Sequence, residues 1–562
     1  MGRCKTLLAI AALAWTAVSN AAPRVFDLEI MGGTIVDGTG NPWYKGDIGI
    51  KGNQIVAIGD LRGRSAAREI DARGKVVAPG FIDMMGGSSL PLLEDPVSAE
   101  SKLRQGITTM MAGEGESMAP QNARTIKILE EETGVRATWK TYREYMSLLQ
   151  NRGVALNVMH NVGAAQVREY VMGSTDRPPT AGELKQMKEL IAQAMADGAV
   201  GLSTALIYPP DAYTDTNDLI QLAKVVAKYR GVYFTHVRNE SGHLLDALDE
   251  AIRIGREAGV PVHIYHLKAA GARNWDLVGR ALTRIEEARK GGVDVTADIY
   301  PYKHNGLNLT DFIPPKRFAG GMQAFVKSLS DPLVRRDIRR ELEYKTDWEN
   351  WYLSVGSDWN NVLISEMGPN GNRALNGLSV QQAAMRDGRD VWSEFFALIR
   401  QGNPFVSVLS MNEQQKRAIL NAPFVSICTD GPPIDPVGAK GSPTESFSPR
   451  AFGAFARIIE RYVREEHVIS LEDAIREMTS LPAEILQLQD RGHIGTGMKA
   501  DIVVFDPRAV RETGTYAKPL SYAVGFEYVL VNGTLVIDDG RWTGALPGSI
   551  IRHGPCGDLP HC

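Results

Sequence analysis

The patterned part of the chain begins with short strands. The stretches "FDLEIMGGTIVDGTG", "GDIGIKGNQIVAIGD" and "REIDARGKVVAPG" alternate apolar and polar positions. They are punctuated by Gly-Gly, Asp-Gly and Gly-Asn turns, as half-buried strands joined tightly should be. The same texture returns near the end in "ADIVVFDP", "YVLVNGTLVIDDG" and "RWTG". Segments 23–79 and 489–562 therefore predict one small β-sandwich assembled from both ends of the chain.

Between them the period changes. Eight short apolar runs, at 76–83, 108–114, 155–162, 199–205, 232–237, 261–267, 293–300 and 424–430, read as buried parallel strands. Stretches of helical periodicity, such as 180–197, 217–229 and 244–258, separate most of them. The alternation predicts an α/β fold, a (β/α)8 barrel of the TIM type over residues 80–488. The connection from 303 to 423 is far longer than one helix needs. It predicts an insertion around 305–375, rich in Trp, Pro and Gly, of the kind that covers or shapes a barrel active site.

Composition adds the compartment. The chain has 562 residues, 44% of them apolar and 23% charged, with a net charge of −4. That is ordinary globular composition, and it offers nothing to attract nucleic acid or an anionic membrane. Residues 1–22 differ. Arg3 and Lys5 precede an apolar run from 6 to 18 and the small-residue stretch Ser19-Asn20-Ala21-Ala22. This layout predicts a signal peptide cleaved after Ala21 or Ala22, and a secreted or periplasmic protein. The run is too short to span a membrane. In an oxidising compartment Cys556 and Cys562 either close a small loop or stay as two thiols on a frayed tail. Cys428, in an apolar run, reads as an inert core residue.

A barrel gathers its chemistry where the strands end. Only ten histidines occur, and His236 and His266 fall at the ends of consecutive predicted strands. Two imidazoles on adjacent strands with a carboxylate from a third suit a zinc site with an open position. His263, earlier in its strand, reads as packing or as support for the ligands. Asp430 ends the eighth strand before Gly431-Pro432-Pro433. It is placed either to cap a turn or to act as the general base that deprotonates water and later protonates a leaving amine.

With these pieces in order, the chain resembles the N-acyl-D-amino-acid deacylase (D-aminoacylase) branch of the amidohydrolase superfamily. The resemblance rests on "VVAPGFID", "SKLRQGITT", "GLSTALIYPP", "THVRNES", "IYHLK", "ADIYPY", "TDG", "SPRAFGAFARII" and "RGHIGTGMKADIVVFDP", in that sequence, and covers nearly the whole mature chain. It implies a (β/α)8 barrel with a small β-sandwich, and metal-dependent cleavage of an N-acyl-D-amino acid into a carboxylic acid and a D-amino acid. It implies that His236 and His266 hold the zinc and that Asp430 is the catalytic aspartate. It also implies that Lys268, Tyr300 and Arg450 bind the substrate carboxylate, a task that suits the planar, always charged guanidinium.

Three positions depart from the family pattern. His-x-His is usual after the first strand, and here the segment is Met85-Gly86-Gly87. A cysteine ligand is usual after the second strand, and here the loop is Glu114-Gly115-Glu116. A histidine is common where Ser448 precedes Pro449-Arg450. A carboxylate is a competent zinc ligand, so Glu114, with Glu116 as second choice, takes the cysteine's place, and one Zn2+ per chain is expected. Two rivals stand beside this reading. A dipeptidase or amidase for other N-acyl amino acids would keep the same zinc and aspartate, and a non-catalytic ligand-binding relative need not.

Overall fold

The computed structural model describes residues 25–368, 371–437, 448–516 and 518–554. The expected signal peptide and the cysteines at 556 and 562 lie outside these residues. Among the described residues no helix is long and apolar enough to cross a membrane.

Eight staves form the barrel: β1 (Phe81–Asp83), β2 (Ile107–Ala112), β3 (Asn157–His160, continued by Val162–Gly163), β4 (Gly201–Ala205), β5 (Val232–His236), β6 (Val262–Ile264), β7 (Val295–Ile299) and β8 (Val425–Ile427). Strands β1 to β3 pair in parallel in one sheet, and β3 to β8 in another. The bend in β3 joins them: Asn157–His160 pairs with β2, and Val162–Gly163 pairs with β4. Polar groups bridge β1 and β8 on the other side. The Asp83 carboxylate accepts from Thr429 N at 2.9 Å and Thr429 Oγ1 at 2.6 Å. Lys102 Nζ donates to Asp83 Oδ2 at 2.8 Å, and both side chains are fully buried.

The helices between the staves form for local reasons. In Ala181–Asp197, Thr180 and Glu183 make a reciprocal capping box and Gly198 ends the helix in the left-handed region. Helix Leu244–Ala258 buries Leu244, Ala247, Leu248, Ala251, Ile252 and Ile254, a stripe of 3.6-residue period facing the barrel. Burying each such Leu or Ile contributes roughly 1.5–3 kcal/mol.

The run at 76–83 divides between the two domains. Val76–Pro79 pairs antiparallel with Ile502–Phe505 in the sheet shared by both chain ends, and Phe81–Asp83 opens the barrel. Gly80 marks the crossing, where a Cβ would lie 2.1 Å from Thr108 Oγ1. The terminal sheet has nine strands and packs on Leu28, Ile30, Ile48, Ile50, Ile502, Val504 and Leu530.

The insertion extends past residue 375. Its three-stranded antiparallel sheet is built from His304–Asn308, Val362–Glu366 and Phe405–Leu409. Phe405–Leu409, the last in sequence, is the central strand and pairs with both others, so the unit closes only at Leu409. It has its own core around Phe312, Trp351, Trp359, Phe395 and Val406, with the Trp359 and Phe395 rings 4.8 Å apart.

Candidate active site

The mouth of the barrel is built from residues just past the strand ends. His236 is the last residue of β5, and His266 lies two residues past β6. Glu114 follows β2 and Asp430 follows β8. Two of these four have backbones that L-residues rarely adopt, with φ of 35° at His266 and 48° at Asp430. Such strain persists only where surrounding contacts impose it, and it concentrates at functional sites. At His266 the restraint is visible. Its backbone N–H donates to Asp298 Oδ1 at 2.5 Å, while Asp298 Oδ2 meets His263 Nε2 at 3.0 Å. His263 thus supports the ligand strand through Asp298.

Glu114, His236 and His266 converge. Glu114 Oε1 lies 2.9 Å from His236 Nδ1 and 3.5 Å from His266 Nε2. The two rings are edge to face, with centroids 4.4 Å apart. The ligand atoms of all three residues lie within 4.8 Å of one another, the one such cluster among the described residues. Glu116 does not join it. Glu114 is aimed by a tight loop: Gly115 has a φ of 63°, and a Cβ there would lie 2.8 Å from Ala205 Cβ. Two imidazoles and a carboxylate are a donor set that zinc takes, with one position left for water or substrate.

The electrostatics are those of a buried, paired cluster. Burial opposes ionisation of Glu114, but the two imidazoles outweigh it and hold its carboxyl below the usual range. His266 is pushed up to about 9: burial and Lys268 oppose its charge, and Glu240 and Glu114 prevail. Asp430 moves the other way. Burial raises it, against the pull of Arg450 and His266.

Lys268, Tyr300 and Arg450 are brought together beside Asp430. The Tyr300 ring carries Arg450 Cζ at 4.9 Å and Lys268 Nζ at 5.6 Å, two cations on one π-system. Arg450 Nη1 is 2.8 Å from Asp430 Oδ2, yet neither it nor Nε has an aligned hydrogen-bond partner. The Tyr300 hydroxyl is likewise buried without one. Unmet donors on a buried guanidinium and a phenol are what a carboxylate would satisfy.

Sequence reasoning missed Glu240. It lies on the loop after β5, 1% exposed, against the outer edges of both imidazoles and Lys268. Burial opposes its charge, but His236, Lys268 and His266 hold it well below the usual range. The stretch "THVRNES" contains it, but nothing in the spacing marks it out. Tyr208, whose ring stands edge to face 5.5 Å from His236, was also missed.

Comparison with known proteins places this geometry. A profile of the Amidohydrolase family matches residues 68–308 and 417–537, on either side of the insertion. N-acyl-D-glutamate deacylase of Alcaligenes xylosoxydans xylosoxydans is 32% identical over 94% of this chain and 96% of its own. A crystal structure of N-acyl-D-glutamate deacylase from Bordetella bronchiseptica, complexed with zinc and a phosphonate mimic of the tetrahedral intermediate, superposes with a TM-score of 0.77. It is 31% identical and covers 94% of this chain and 99% of its own. A D-aminoacylase structure that concerns a binuclear metal centre, with one-metal activation and second-metal attenuation, has a TM-score of 0.77 at 30% identity over 93% and 99%. The chain belongs to the N-acyl-D-amino-acid deacylase (D-aminoacylase) family of amidohydrolases.

Proposed function

We propose that this protein hydrolyses the amide bond of N-acyl-D-amino acids, releasing a carboxylic acid and a D-amino acid. The observation that carries the reading is the meeting, at one barrel mouth, of a Glu-His-His donor set, a largely enclosed aspartate and an Arg-Tyr pair with unmet donors. The preference for D substrates follows from the relatives.

Glu114, His236 and His266 would hold zinc. When bound there, the ion supplies Lewis acidity, polarising the acyl carbonyl and lowering the pKa of water. Asp430 accepts the proton of the attacking water as its oxygen bonds to the acyl carbon. It then returns that proton to the nitrogen as the carbon–nitrogen bond breaks, so the amine leaves neutral. Its raised pKa brings it closer to the pH at which it must both take and give a proton. Arg450 and Tyr300 hold the substrate α-carboxylate beside Asp430, which fixes the scissile nitrogen within its reach.

One ion per chain is the stoichiometry we propose, and the floor of the site supports it. The β1 loop offers no imidazole, and its glycines have no room for one. A Cβ on Gly86 would lie 2.9 Å from Met110 Cε, and on Gly87, at a φ of 72°, 2.7 Å from Pro432 N. Export is part of the same proposal and is supported by the pattern of residues 1–22.

The test is amine release from a matched panel of N-acetyl-D- and N-acetyl-L-amino acids and D-terminated dipeptides. Turnover of the N-acetyl-D series is expected. Turnover of dipeptides alone would assign the chemistry to a peptidase.

A further inference from the structure

Arg450 and Tyr300 meet from separate segments. Tyr300 follows β7, and Arg450 opens the helix Arg450–Arg457 beyond β8. The distance of 4.9 Å from guanidinium to ring therefore depends on what joins the two segments. Glu512, which belongs to neither, joins them. It lies in the connection between Ile502–Phe505 and Phe526–Val531 of the terminal sheet. Its Oε2 accepts from the hydroxyl of Tyr302, two residues past Tyr300, at 2.7 Å. Its Oε1 accepts from Arg457 Nη1, at the far end of the Arg450 helix.

The joint is close and enclosed. Tyr302 is 3% exposed, and the Glu512 and Arg457 side chains 16% each. Arg457 completes it by donating from Nε to the Pro301 carbonyl at 2.8 Å, with its Cζ 5.1 Å from the Tyr302 ring centroid. Gly453, midway along the helix, permits the approach. A Cβ there would lie 2.9 Å from Glu512 Cβ and 3.0 Å from the Tyr302 hydroxyl oxygen. Glu512 is held in turn, its backbone N–H donating to Glu460 Oε2 at 2.9 Å. A carboxylate has an oxygen for each of the two donors, and its charge strengthens both bonds. Without it an enclosed guanidinium and a buried phenol each lose a partner, and the two segments are freed to shift against each other.

We propose that Glu512 is a positioning residue for substrate binding. Through Tyr302 and Arg457 it fixes the Tyr300 segment to the Arg450 helix, and so sets the spacing at which phenol and guanidinium receive the substrate carboxylate. The domain built from both chain ends thereby takes part in recognition at the barrel mouth. The inference rests on Arg450 and Tyr300 being the carboxylate-binding pair.

The experiment measures kcat/KM for acetate release by the full chain from two probes. One is the N-acetyl-D-amino acid that is turned over fastest, and the other is its α-carboxamide, which lacks the carboxylate. The ratio of acid to amide reads carboxylate recognition and cancels any loss of folded protein. In the wild type it should stand well above one. Glu512→Ala should lower it, approaching the roughly 100-fold that a misplacement of about 1 Å costs. Glu512→Gln, with one accepting oxygen left, should fall between the two. On an Arg450→Met background Glu512→Ala should change the ratio little, because its effect passes through Arg450. A merely structural role lowers both rates alike, so an unchanged ratio in Glu512→Ala overturns the proposal. So does a full second loss in the double variant. Should Glu512→Ala fail to fold, Tyr302→Phe removes the same hydrogen bond from the other side: a lowered ratio is expected, and an unchanged one overturns the proposal. A wild-type ratio near one would instead overturn the carboxylate role of Arg450 and Tyr300 on which the inference stands.

Discussion

Arg450 Nη1 lies 2.8 Å from Asp430 Oδ2, and the two side chains are almost wholly enclosed. The guanidinium thus serves two groups, the aspartate and the substrate carboxylate it is free to bind. Arg450→Met is expected to raise KM strongly, because it removes the one planar fork at the site. It should also move the acidic limb of the pH profile of kcat/KM upward, since burial already raises Asp430 and Arg450 opposes that rise. Steady-state kinetics across pH checks both, and an unmoved acidic limb would show that the pair is not coupled in solution.

Glu114 and Glu116 are separable by metal content. Glu114→Ala should lose zinc on dialysis, by more than the roughly 10–100-fold typical when an outer partner of a ligand is removed. Glu116→Ala, outside the cluster, should retain it. Elemental analysis of the dialysed proteins decides. The reverse pattern would make Glu116 the third ligand.

The Asp83–Lys102 pair binds β1 to β8 immediately before Asp430. Both side chains are fully buried, and Lys102 Nζ donates to Asp83 at 2.8 Å and to Thr429 Oγ1 at 2.6 Å. Removing one charge leaves the other buried and alone. Lys102→Met should cost about 3–5 kcal/mol of unfolding free energy, measured by chemical denaturation. A loss below about 1 kcal/mol would mean that the barrel closes without this bridge.

Asp211 gives stability a pH dependence. Its Oδ2 accepts from Ala205 N at the end of β4 at 2.8 Å, and burial raises its carboxyl from 3.8 to about 7. A carboxyl with a raised folded pKa binds its proton more tightly folded than unfolded. Its contribution is therefore full below pH 3.8 and is lost as pH rises through about 7. The change is on the order of 4 kcal/mol at most. Asp211→Asn should flatten the stability curve between pH 4 and 7. Glu349, also raised to about 7, contributes in the same direction in both proteins. Lys416, lowered from 10.5 to about 7, acts above this window. An unchanged slope in Asp211→Asn would place the titration elsewhere.

The barrel was legible because each stave is a short apolar run with turn residues on either side. Placing Asp430, His236 and His266 at strand ends then put them at one mouth. The convergence of Glu114 rests on the absence of any cysteine in the β2 loop and on the tight turn at Gly115. The extent of the insertion was not legible, because the pairing of Phe405–Leu409 between two earlier strands is a long-range register that no local pattern encodes. Glu240, Asp298 and the Asp83–Lys102 bridge escaped for a related reason. Each is an ordinary polar residue in sequence, and its role comes from which buried neighbour the fold sets against it.

The most direct test of the central claim measures zinc content and turnover together on the wild type and on Asp430→Asn. The account predicts close to one zinc per chain in both and turnover of N-acetyl-D-amino acids only in the wild type. The loss should be roughly 10²–10⁴-fold, the usual contribution of a general base. Protein that holds no zinc and turns over nothing after zinc is added back, or an Asp430→Asn variant with undiminished turnover, would contradict it.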